Sequence, residues 1–424
     1  MILRHGQQHT IKYAQDTCAT PNNRLCFQDK NLGKEYAMYD GELNAVLSQV
    51  QEIATDVVAP LSDEIDANAQ WPKTSIRTLQ AAGFGGLVVP QTMGGKGYGL
   101  FALTRACEIL GRECASTAIC FGMHSVGTSV IAANATEDQQ RRYLDDICAG
   151  KHITTLSLSE AGTGAHFYLP QTTLEQRDQQ YYSLNGTKTF VTNGSYADSY
   201  VISVVAADPG APVGQFSCVV VDADADNISW GPAWDGLGMR GNSSRSMELR
   251  DVLVPKVNLL GNEGDQIWYT FNVVMPYFLV AMGGTFLGVA SAALEEARKH
   301  LLRRYHAHTG LNLAQNSVLQ HRLAVLWGSL ERTRRLIYHA AQSFDAGDPD
   351  ALIAVMAAKA EVADTAVLLV NEAMTFTGGI GYRQGSKLHR MLRDARACHL
   401  MSPTTDILRV WIGRALLDQP LLAD

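Results

Sequence analysis

The spacing of apolar residues changes twice along this chain, and this change limits the possible folds more than any other feature. From Glu42 apolar side chains recur at helical spacing, and the helix is expected to stop at Pro60. Helical spacing continues, between glycine-rich turns, through residues 75–82, 101–112, 125–133 and 137–147. The first third of the chain is therefore predicted to be an all-α domain.

The middle of the chain has a period of two instead. Strand-like runs at residues 181–184 and 187–192 flank Asn185-Gly186, a pair that suits the positive φ angles of a two-residue turn, so a hairpin is predicted there. Further β-branched runs cover residues 200–206, 218–222 and 246–254. These segments predict a small β-domain of barrel or sandwich type.

Helical spacing returns after Pro255 and lasts to the C-terminus. The residues from Leu287 to Leu301 place apolar side chains in one stripe, and Glu295 and Lys299 are expected to face water as an i,i+4 pair. Long helices with such stripes predict a four-helix bundle. The fold class is α+β, with an N-terminal extension (1–38), a helical domain (39–153), a central β-domain (154–262) and a C-terminal helical bundle (263–424).

Composition argues against several classes of partner. Hydrophobic residues make up 46% of the chain and charged residues 18%, as in a globular protein with a large core. A net charge of -7 without a basic tract argues against nucleic acid. The cysteines show no CxxC pair and no metal-like spacing with histidine, which indicates a cytoplasmic protein without a metal site. No apolar window is expected to span a membrane, the nearest being residues 277–294.

Several ordered motifs point to one family. Near the C-terminus Gly-Gly-Ile-Gly-Tyr (378–382) precedes Arg-Asp-Ala-Arg (393–396) and Ser-Pro-Thr-Thr-Asp-Ile-Leu-Arg (402–409). The β-domain holds Leu-Ser-Glu-Ala-Gly-Thr-Gly (158–164) and Lys-Thr-Phe-Val-Thr-Asn (188–193). With Val-Pro-Gln-Thr-Met-Gly-Gly (89–95) and Gly-Leu-Gly-Met-Arg (236–240), these motifs resemble those of the acyl-CoA dehydrogenase superfamily in order and spacing.

The resemblance implies an FAD-dependent oxidoreductase that forms a homodimer or homotetramer. It implies that Ser159 hydrogen-bonds the isoalloxazine, that Thr192 bonds flavin N5 and that Phe190 packs on the ring. The glycine turn would let a neighbouring subunit's FAD approach the main chain closely. The implied cofactor residues are Leu156, Leu158, Ser159, Gly164, Phe190, Thr192, Thr375, Gly378, Gly379, Thr404 and Asp406.

The catalytic position departs from the family pattern. Where most members have the glutamate that takes the substrate's α-proton, this chain has Ser402, followed by Pro403 instead of glycine. No Asp or Glu lies between Asp265 and Glu295, where some members carry that base. A serine hydroxyl cannot replace a carboxylate as a base at neutral pH. The candidates for compensation are His399, Asp406, Tyr269 and Tyr277.

The anchors for the AMP half of FAD also differ from the pattern. The arginine that would reach a partner subunit's FAD pyrophosphate is His306 here, and the glutamine of the glycine turn is Thr375. Arg303, Arg304 or His306 are the candidates to take over that contact.

Three functions fit these motifs. The first is oxidation of an acyl thioester, on CoA or an acyl-carrier protein, with a carbanion formed by decarboxylation or by a relocated base, and with electron-transfer flavoprotein or oxygen as acceptor. The second is a flavin oxidase or monooxygenase of specialised metabolism, such as an epoxyketone-forming or ring-forming enzyme. The third is a non-catalytic scaffold, against which the retained Ser159, Thr192 and Thr404 argue.

Overall fold

The computed structural model describes residues 41–164, 166–207 and 216–422, and the predicted extension at residues 1–38 lies outside them. One compact unit runs from Val46 to the end of the chain. The first part of the described chain is helical, as predicted, and its helices are α1 (Gly41–Ile53), α2 (Ala59–Ala67), α3 (Lys73–Ala81), α4 (Leu100–Glu113), α5 (Ala115–Ala133), α6 (Glu137–Gln139) and α7 (Asp145–Cys148).

The predicted helix end at Pro60 is wrong, because the helical path continues to Ala67. A π-helical turn, Ala54–Val58, joins α1 to α2, and within it the main-chain N–H of Ala59 donates to the carbonyl of Ala54, five residues earlier. Pro60 then lies in the first turn of α2, where a proline has no hydrogen bond to lose. The π-helical turn thus lets the chain pass a proline without ending the helix.

A mixed sheet forms the middle of the described chain. Its strands are β1 (Thr154–Ser157), β2 (Thr173–Gln176), β3 (Tyr181–Val191), β4 (Ser199–Val205), β5 (Phe216–Asp222), β6 (Ile228–Trp230), β7 (Arg245–Pro255) and β8 (Leu259–Leu260). The hydrogen-bonded order is β6-β7-β3-β2-β4-β5-β8, and β1 pairs in parallel with β4. Strands β4 and β5 are buried along almost their whole length, so both faces of this part of the sheet are covered.

The predicted hairpin at Asn185-Gly186 is wrong. Strand β3 runs through both residues, and its antiparallel partner is β7, with a register shift between Leu184 and Gly186. The Asn185 side chain donates to Asp251 Oδ1 at 3.0 Å and accepts from the Asp251 main-chain N–H at 2.8 Å. The pair therefore marks an irregularity inside a long strand, because the neighbouring strand satisfies the Asn185 amide and no turn is needed.

The C-terminal part is a helical bundle, as predicted. Its stripe from Leu287 to Leu301 is buried within the chain. The expected Glu295–Lys299 pair is wrong, because Glu295 binds Arg298 at 2.7 Å and Lys299 binds Glu296 at 3.2 Å. The helices are α8 (Gln266–Tyr269), α9 (Met275–Arg303), α10 (Ser317–Ala346), α11 (Ala351–Thr377), α12 (Lys387–Leu400) and α13 (Thr405–Leu416), and the π-helical turn Thr270–Val274 joins α8 to α9.

Two helical segments of the described chain are long and apolar enough to span a membrane, contrary to the expectation from the sequence. They are Ala115–Ala133 and Gln266–Arg303, and 100% and 89% of their apolar windows are buried inside the protein. Packing in the core explains why both segments are apolar, because the rest of the chain covers almost all of their surface.

The Arg-Asp-Ala-Arg motif in α12 connects the bundle to the other two parts of the chain. Asp394 accepts a hydrogen bond from the main-chain N–H of Met239 at 2.6 Å, and burial raises the pKa of this carboxyl to about 6. Arg393 donates to the carboxylate of Asp66 at 3.0 Å and to the carbonyl of Leu237 at 2.8 Å. This motif therefore fixes how the β-domain and the N-terminal helices meet the bundle.

Candidate functional site

The loop after β1 is held by a buried ion pair. Lys188 Nζ on β3 lies 2.5 Å from Glu160 Oε1 in the loop, and the lysine side chain is fully buried. Lys188 also donates to the carbonyl of Ser203 at 2.6 Å, and Glu160 accepts from the main-chain N–H of Thr172 at 3.2 Å. Burial lowers the pKa of Lys188 to about 8, and the Glu160 carboxylate opposes this shift. Because removing one partner of a buried pair costs about 3–5 kcal/mol, the loop is firmly tied to β3.

The end of β1 and this loop carry the first group of residues predicted to bind the cofactor. Leu156 and Leu158 are buried, and Ser159 is half-buried. The carbonyl of Ser159 accepts from the main-chain N–H of Thr189 at 2.7 Å, which places the loop beside the end of β3. Gly164 is exposed and has a φ of 52°, a conformation that glycine adopts without strain.

The end of β3 presents an apolar surface, which we name the apolar wall (Phe190, Trp234 and Leu237). Phe190 is 66% exposed and has a φ of 55°, and its ring packs edge-on against Trp234 with centroids 6.1 Å apart. Leu237, in the same loop as Trp234, is 72% exposed. A bulky residue at positive φ costs of order 1–3 kcal/mol, and such strain concentrates at functional sites.

Beyond this wall, Thr192 supplies a buried hydroxyl. Its Oγ1 lies 3.5 Å from Ser244 Oγ, the outer limit of a hydrogen bond, while its carbonyl accepts from Thr155 Oγ1 at 2.9 Å. The next residue, Asn193, accepts from Trp71 Nε1 at 2.8 Å and so anchors this turn on the N-terminal helices. The main chain at Thr192 is therefore fixed, and its hydroxyl can form a stronger hydrogen bond with another group.

Arg245 is a candidate that the sequence reasoning missed. It begins β7 directly opposite Val191, between the two predicted cofactor residues Phe190 and Thr192. Its Nε is buried without a hydrogen-bond partner, and the described residues show no acid paired with its guanidinium. An arginine in this state can bind a carboxylate or phosphate from outside the chain. The sequence carried no signal for this role except an arginine at the start of a strand.

The C-terminal half of the site is the loop between α12 and α13. Ser402 is half-buried in it, and Thr404 caps α13 by accepting a main-chain hydrogen bond at 3.5 Å. Asp406 is exposed in the first turn of that helix, where a carboxylate stabilises the helix dipole. Further along α13, Trp411 packs on Tyr168 of the β-domain with ring centroids 5.9 Å apart. Helix α13 thus lies against the domain that carries the apolar wall.

The structure separates the proposed replacement bases by their chemistry. Burial raises the pKa values of Tyr269 and Tyr277 to about 12, so neither phenol is ionised at neutral pH. Burial lowers the pKa of His399, although the carboxylate of Asp364 at 3.7 Å opposes the shift. The neutral imidazole could accept a proton, but its Nδ1 already lies 3.2 Å from Thr405 Oγ1.

The glycine turn lies at the far end of α11 from the Ser402 loop. Lys359 on α11 contacts that loop, and from there to the turn at Gly378 the helix rises roughly 27 Å. A Cβ added at Gly379 would meet no atom of this chain within 4 Å. Thr375, one turn earlier, is exposed and donates its hydroxyl only to its own helix at 3.1 Å. The structure does not bring these three predicted residues to the Ser402 loop of the same chain.

A basic cleft of about 240 Å³ opens beside the glycine turn. It lies where the ends of α9 and α11 meet the start of α12, and Gly381 forms part of its wall. Of the candidates to replace the missing pyrophosphate arginine, Arg303 lines this cleft. Its charged and titratable lining residues are Glu296, Lys299, His300, Arg303 and Lys387.

The residues present fit the flavin that the motifs imply. The apolar wall offers an exposed aromatic surface, and Thr192 offers a buried hydroxyl whose nearest partner is at the hydrogen-bond limit. Ser159 lies beside β3 in a rigid loop. Apolar faces with a few fixed polar groups are typical of cofactor sites. These residues would hold the isoalloxazine, and the basic cleft has the charge that phosphates require.

Comparisons with known proteins agree with this geometry. Models of the N-terminal, middle and C-terminal domains of acyl-CoA dehydrogenase match residues 40–151, 155–252 and 273–417. An acyl-CoA dehydrogenase of Bacillus subtilis is 30% identical over 372 residues, which cover 87% of this chain and 96% of that protein. The structure of butyryl-CoA dehydrogenase from Megasphaera elsdenii has a TM-score of 0.84 at 25% identity, covering 89% and 99% of the two chains. A chain in the structure of the electron transferring flavoprotein of Acidaminococcus fermentans has a TM-score of 0.83 at 27% identity, covering 91% and 99%.

Proposed function

This chain belongs to the acyl-CoA dehydrogenase family, and from that premise we propose that it oxidises an acyl thioester by a route that needs no carboxylate base. Members of the family are FAD-dependent oxidoreductases, so FAD is the cofactor. When bound, FAD supplies the acceptor for a hydride from the substrate's β-carbon. The question specific to this chain is how the electron pair at the α-carbon is released.

The observation that carries the proposal is the lack of a carboxylate at the Ser402 loop. No Asp or Glu occurs between Cys398 and Thr405 or between Asp265 and Glu295. The two tyrosine candidates stay protonated at neutral pH, and His399 is already engaged by Thr405. The fourth candidate, Asp406, lies beyond this loop, exposed in the first turn of α13. A positioned general base contributes about 10²–10⁴ in rate, so a substrate that needs one would react slowly here.

A substrate that loses carbon dioxide removes the need for a base. In a thioester with a carboxylate on the α-carbon, the bond from the α-carbon to that carboxylate breaks and carbon dioxide leaves. The electron pair of that bond forms the α,β double bond while the β-hydrogen leaves as hydride. No proton is transferred in this sequence, and its products are an enoyl thioester, carbon dioxide and the reduced cofactor. We infer that the substrate is a malonyl-type thioester with a hydrogen on its β-carbon.

Arg245 supports an anionic substrate. Arg245 begins β7 opposite Val191, and its guanidinium lacks an acid partner among the described residues, so a negative charge there would satisfy it. The charge could be the extra carboxylate of a malonyl-type acyl group or a phosphate of the thioester carrier. CoA and the phosphopantetheine of an acyl-carrier protein both supply phosphates, and the closing experiment distinguishes the carboxylate from the phosphates.

We also propose an electron acceptor, an oligomeric state and a location for the protein. The neighbour from Acidaminococcus fermentans supports an electron transferring flavoprotein as acceptor, and oxygen is the alternative that an oxidase would use. The open glycine turn, about 27 Å along α11 from Lys359, supports an oligomer in which one chain contacts the cofactor of another. We place the protein in the cytoplasm.

The test compares two substrates that would give the same product. Ethylmalonyl-CoA and butyryl-CoA differ only by the α-carboxylate, and oxidation of either gives crotonyl-CoA. We expect the FAD-bound protein to oxidise ethylmalonyl-CoA at least about 100-fold faster than butyryl-CoA, because a general base is worth at least that much. Product is measured by mass spectrometry with and without oxygen, and with an artificial electron acceptor. Equal rates on both substrates would contradict the proposal.

The variant Arg245→Gln is measured alongside. A raised KM for ethylmalonyl-CoA alone assigns Arg245 to the extra carboxylate, and a raised KM for both thioesters assigns it to the carrier's phosphates. We expect a rise of about tenfold or more, which corresponds to about 1.4 kcal/mol. An unchanged KM for both would exclude Arg245 from the site. Product formed only with oxygen would favour an oxidase.

A further inference from the structure

Lys359 is a buried lysine that the proposed reaction has not used. It lies on α11 with no exposed surface, and its Nζ points to the loop that contains Ser402. Nζ donates to the carbonyl of Pro403 at 2.9 Å and lies 3.4 Å from the carbonyl of Met401. The two carbonyls belong to the residues on either side of Ser402. One side chain therefore holds the main chain on both sides of that position.

The ammonium of Lys359 has no acidic partner in the part of the chain that the structure describes. This contrasts with Lys188, which is equally buried but paired with Glu160 at 2.5 Å. Burying a charge without a counter-charge is costly, and the two carbonyl hydrogen bonds offset only part of that cost. An apolar side chain of similar length could fill the same space but could donate to neither carbonyl, so it is the ammonium that ties α11 to the Ser402 loop.

We propose that Lys359 is a positioning residue for the reaction, which fixes the segment Met401–Pro403 and places a positive charge behind it. This inference rests on the proposed function, because the charge would act on the substrate's negative charge as it moves from the carboxylate towards the thioester. A fixed charge in a site with little water interacts more strongly than one in solvent. Lys359 is buried behind the loop, so it would act through the position of Ser402 and through its charge.

The groups around Lys359 titrate in separate pH ranges. Burial lowers the pKa of Lys359, so the ammonium loses its proton at a lower pH than an exposed lysine does. On α12, burial raises the pKa of Cys398 to about 12 and lowers that of His399, so the thiol ionises only in strong alkali and the imidazole only in acid. Asp364 on α11 and Arg396 on α12 also face His399. Lys188 also titrates on the alkaline side, with a pKa of about 8, so an alkaline loss of activity is assigned to Lys359 only where it is missing from a Lys359 variant.

The first test measures the loop without using activity. Lys359→Met keeps the length of the side chain but removes its charge and its donors, and Lys73→Met is the control at an exposed lysine at the start of α3. In hydrogen exchange of the FAD-bound protein, we expect faster exchange in Lys359→Met at residues 399–408 and unchanged exchange in the β-domain. Unchanged exchange at residues 399–408 would overturn the positioning role even if no substrate is yet known.

The second test uses whichever thioester the wild type oxidises. We expect Lys359→Met to lower kcat by about 30-fold or more while KM changes by less than about threefold, because the side chain is buried behind the loop. The wild type should lose activity on the alkaline side as the Lys359 ammonium loses its proton, and the variant should lack that part of the fall. An alkaline loss of activity that is unchanged in Lys359→Met would overturn the claim that the charge of Lys359 acts on the reaction. A wild type that oxidises no thioester would instead refute the proposed function. The exchange result alone would then decide whether Lys359 fixes the segment Met401–Pro403.

Discussion

Position 402 offers the most direct test at the scale of a single residue. Ser402 occupies the position at which the motif resemblance implies the base, and we expect the wild type to oxidise butyryl-CoA poorly. We expect Ser402→Glu to raise the oxidation of butyryl-CoA by about 10²–10⁴, because a carboxylate in this loop could take the α-proton. The measurement is the rate of crotonyl-CoA formation by the FAD-bound variant.

Two further variants make this substitution interpretable. Ser402→Gln has the size of glutamate without its basicity, so it should show no gain on butyryl-CoA. Ser402→Ala should leave the oxidation of ethylmalonyl-CoA within about threefold of the wild type, because the proposal gives the hydroxyl no proton to transfer. If Ser402→Ala abolishes that reaction, the hydroxyl has a positive role. If the wild type oxidises butyryl-CoA efficiently, another residue serves as base.

Single residues also mark the limit of what the sequence could predict about the site. The motifs placed Phe190 and Thr192, and the structure puts them on an exposed wall and at a buried hydroxyl respectively. The motifs could not identify Arg245. Its proposed role depends on the pairing of β7 with β3 at Val191 and on a buried Nε that has no hydrogen-bond partner. Lys359 was equally hidden, because only the fold brings the middle of α11 to the carbonyls around Ser402.

At the scale of an element, the turn at the end of α11 makes a prediction about the cofactor. A side chain at Gly379 would meet nothing within 4 Å in its own chain, and its φ lies outside the left-handed region. We therefore expect Gly379→Val to fold normally and yet to weaken FAD retention by about tenfold or more, equivalent to about 1.4 kcal/mol. Melting temperature and FAD titration separate these two effects. Gly328→Val, at a second open glycine on α10, is the matched control.

The same variant reports on assembly. Light scattering of the FAD-bound wild type should give a dimer or a tetramer at micromolar concentration. The glycine turn lies about 27 Å along α11 from Lys359, away from the Ser402 loop of its own chain, so we expect it to contact the cofactor of another chain. A monomer that holds FAD and is insensitive to Gly379→Val would show that the turn contacts no cofactor.

Helices with a long apolar period were predicted correctly. Elements whose end or continuation depends on a single residue were predicted wrongly. The long helices and the buried stripe from Leu287 to Leu301 are confirmed. The sequence could not show that a π-helical turn would carry the chain past Pro60. Nor could it show that Asn185 would bind Asp251 on a distant strand and so keep β3 continuous. Both errors come from local signals that tertiary contacts override.

At the scale of the whole molecule, the order of helical, β and helical parts followed from periodicity, but their docking did not. Asp394 binds the main chain of Met239 and Arg393 binds Asp66, so the Arg-Asp-Ala-Arg motif joins all three parts. The motif was recognisable as a family feature, yet its partners lie more than 150 residues away in the chain. Contacts between such distant residues cannot be deduced from spacing alone.

The most direct test of the central claim follows the carboxyl carbon. Ethylmalonyl-CoA labelled with ¹³C in its free carboxylate is mixed with an equal amount of FAD-bound protein without oxygen, and flavin bleaching and labelled carbon dioxide are followed together. The account predicts one labelled carbon dioxide for each FAD reduced, on the same time course, because loss of carbon dioxide releases the electron pair that a base would otherwise free. Reduction of FAD with the label retained in the thioester product would contradict it.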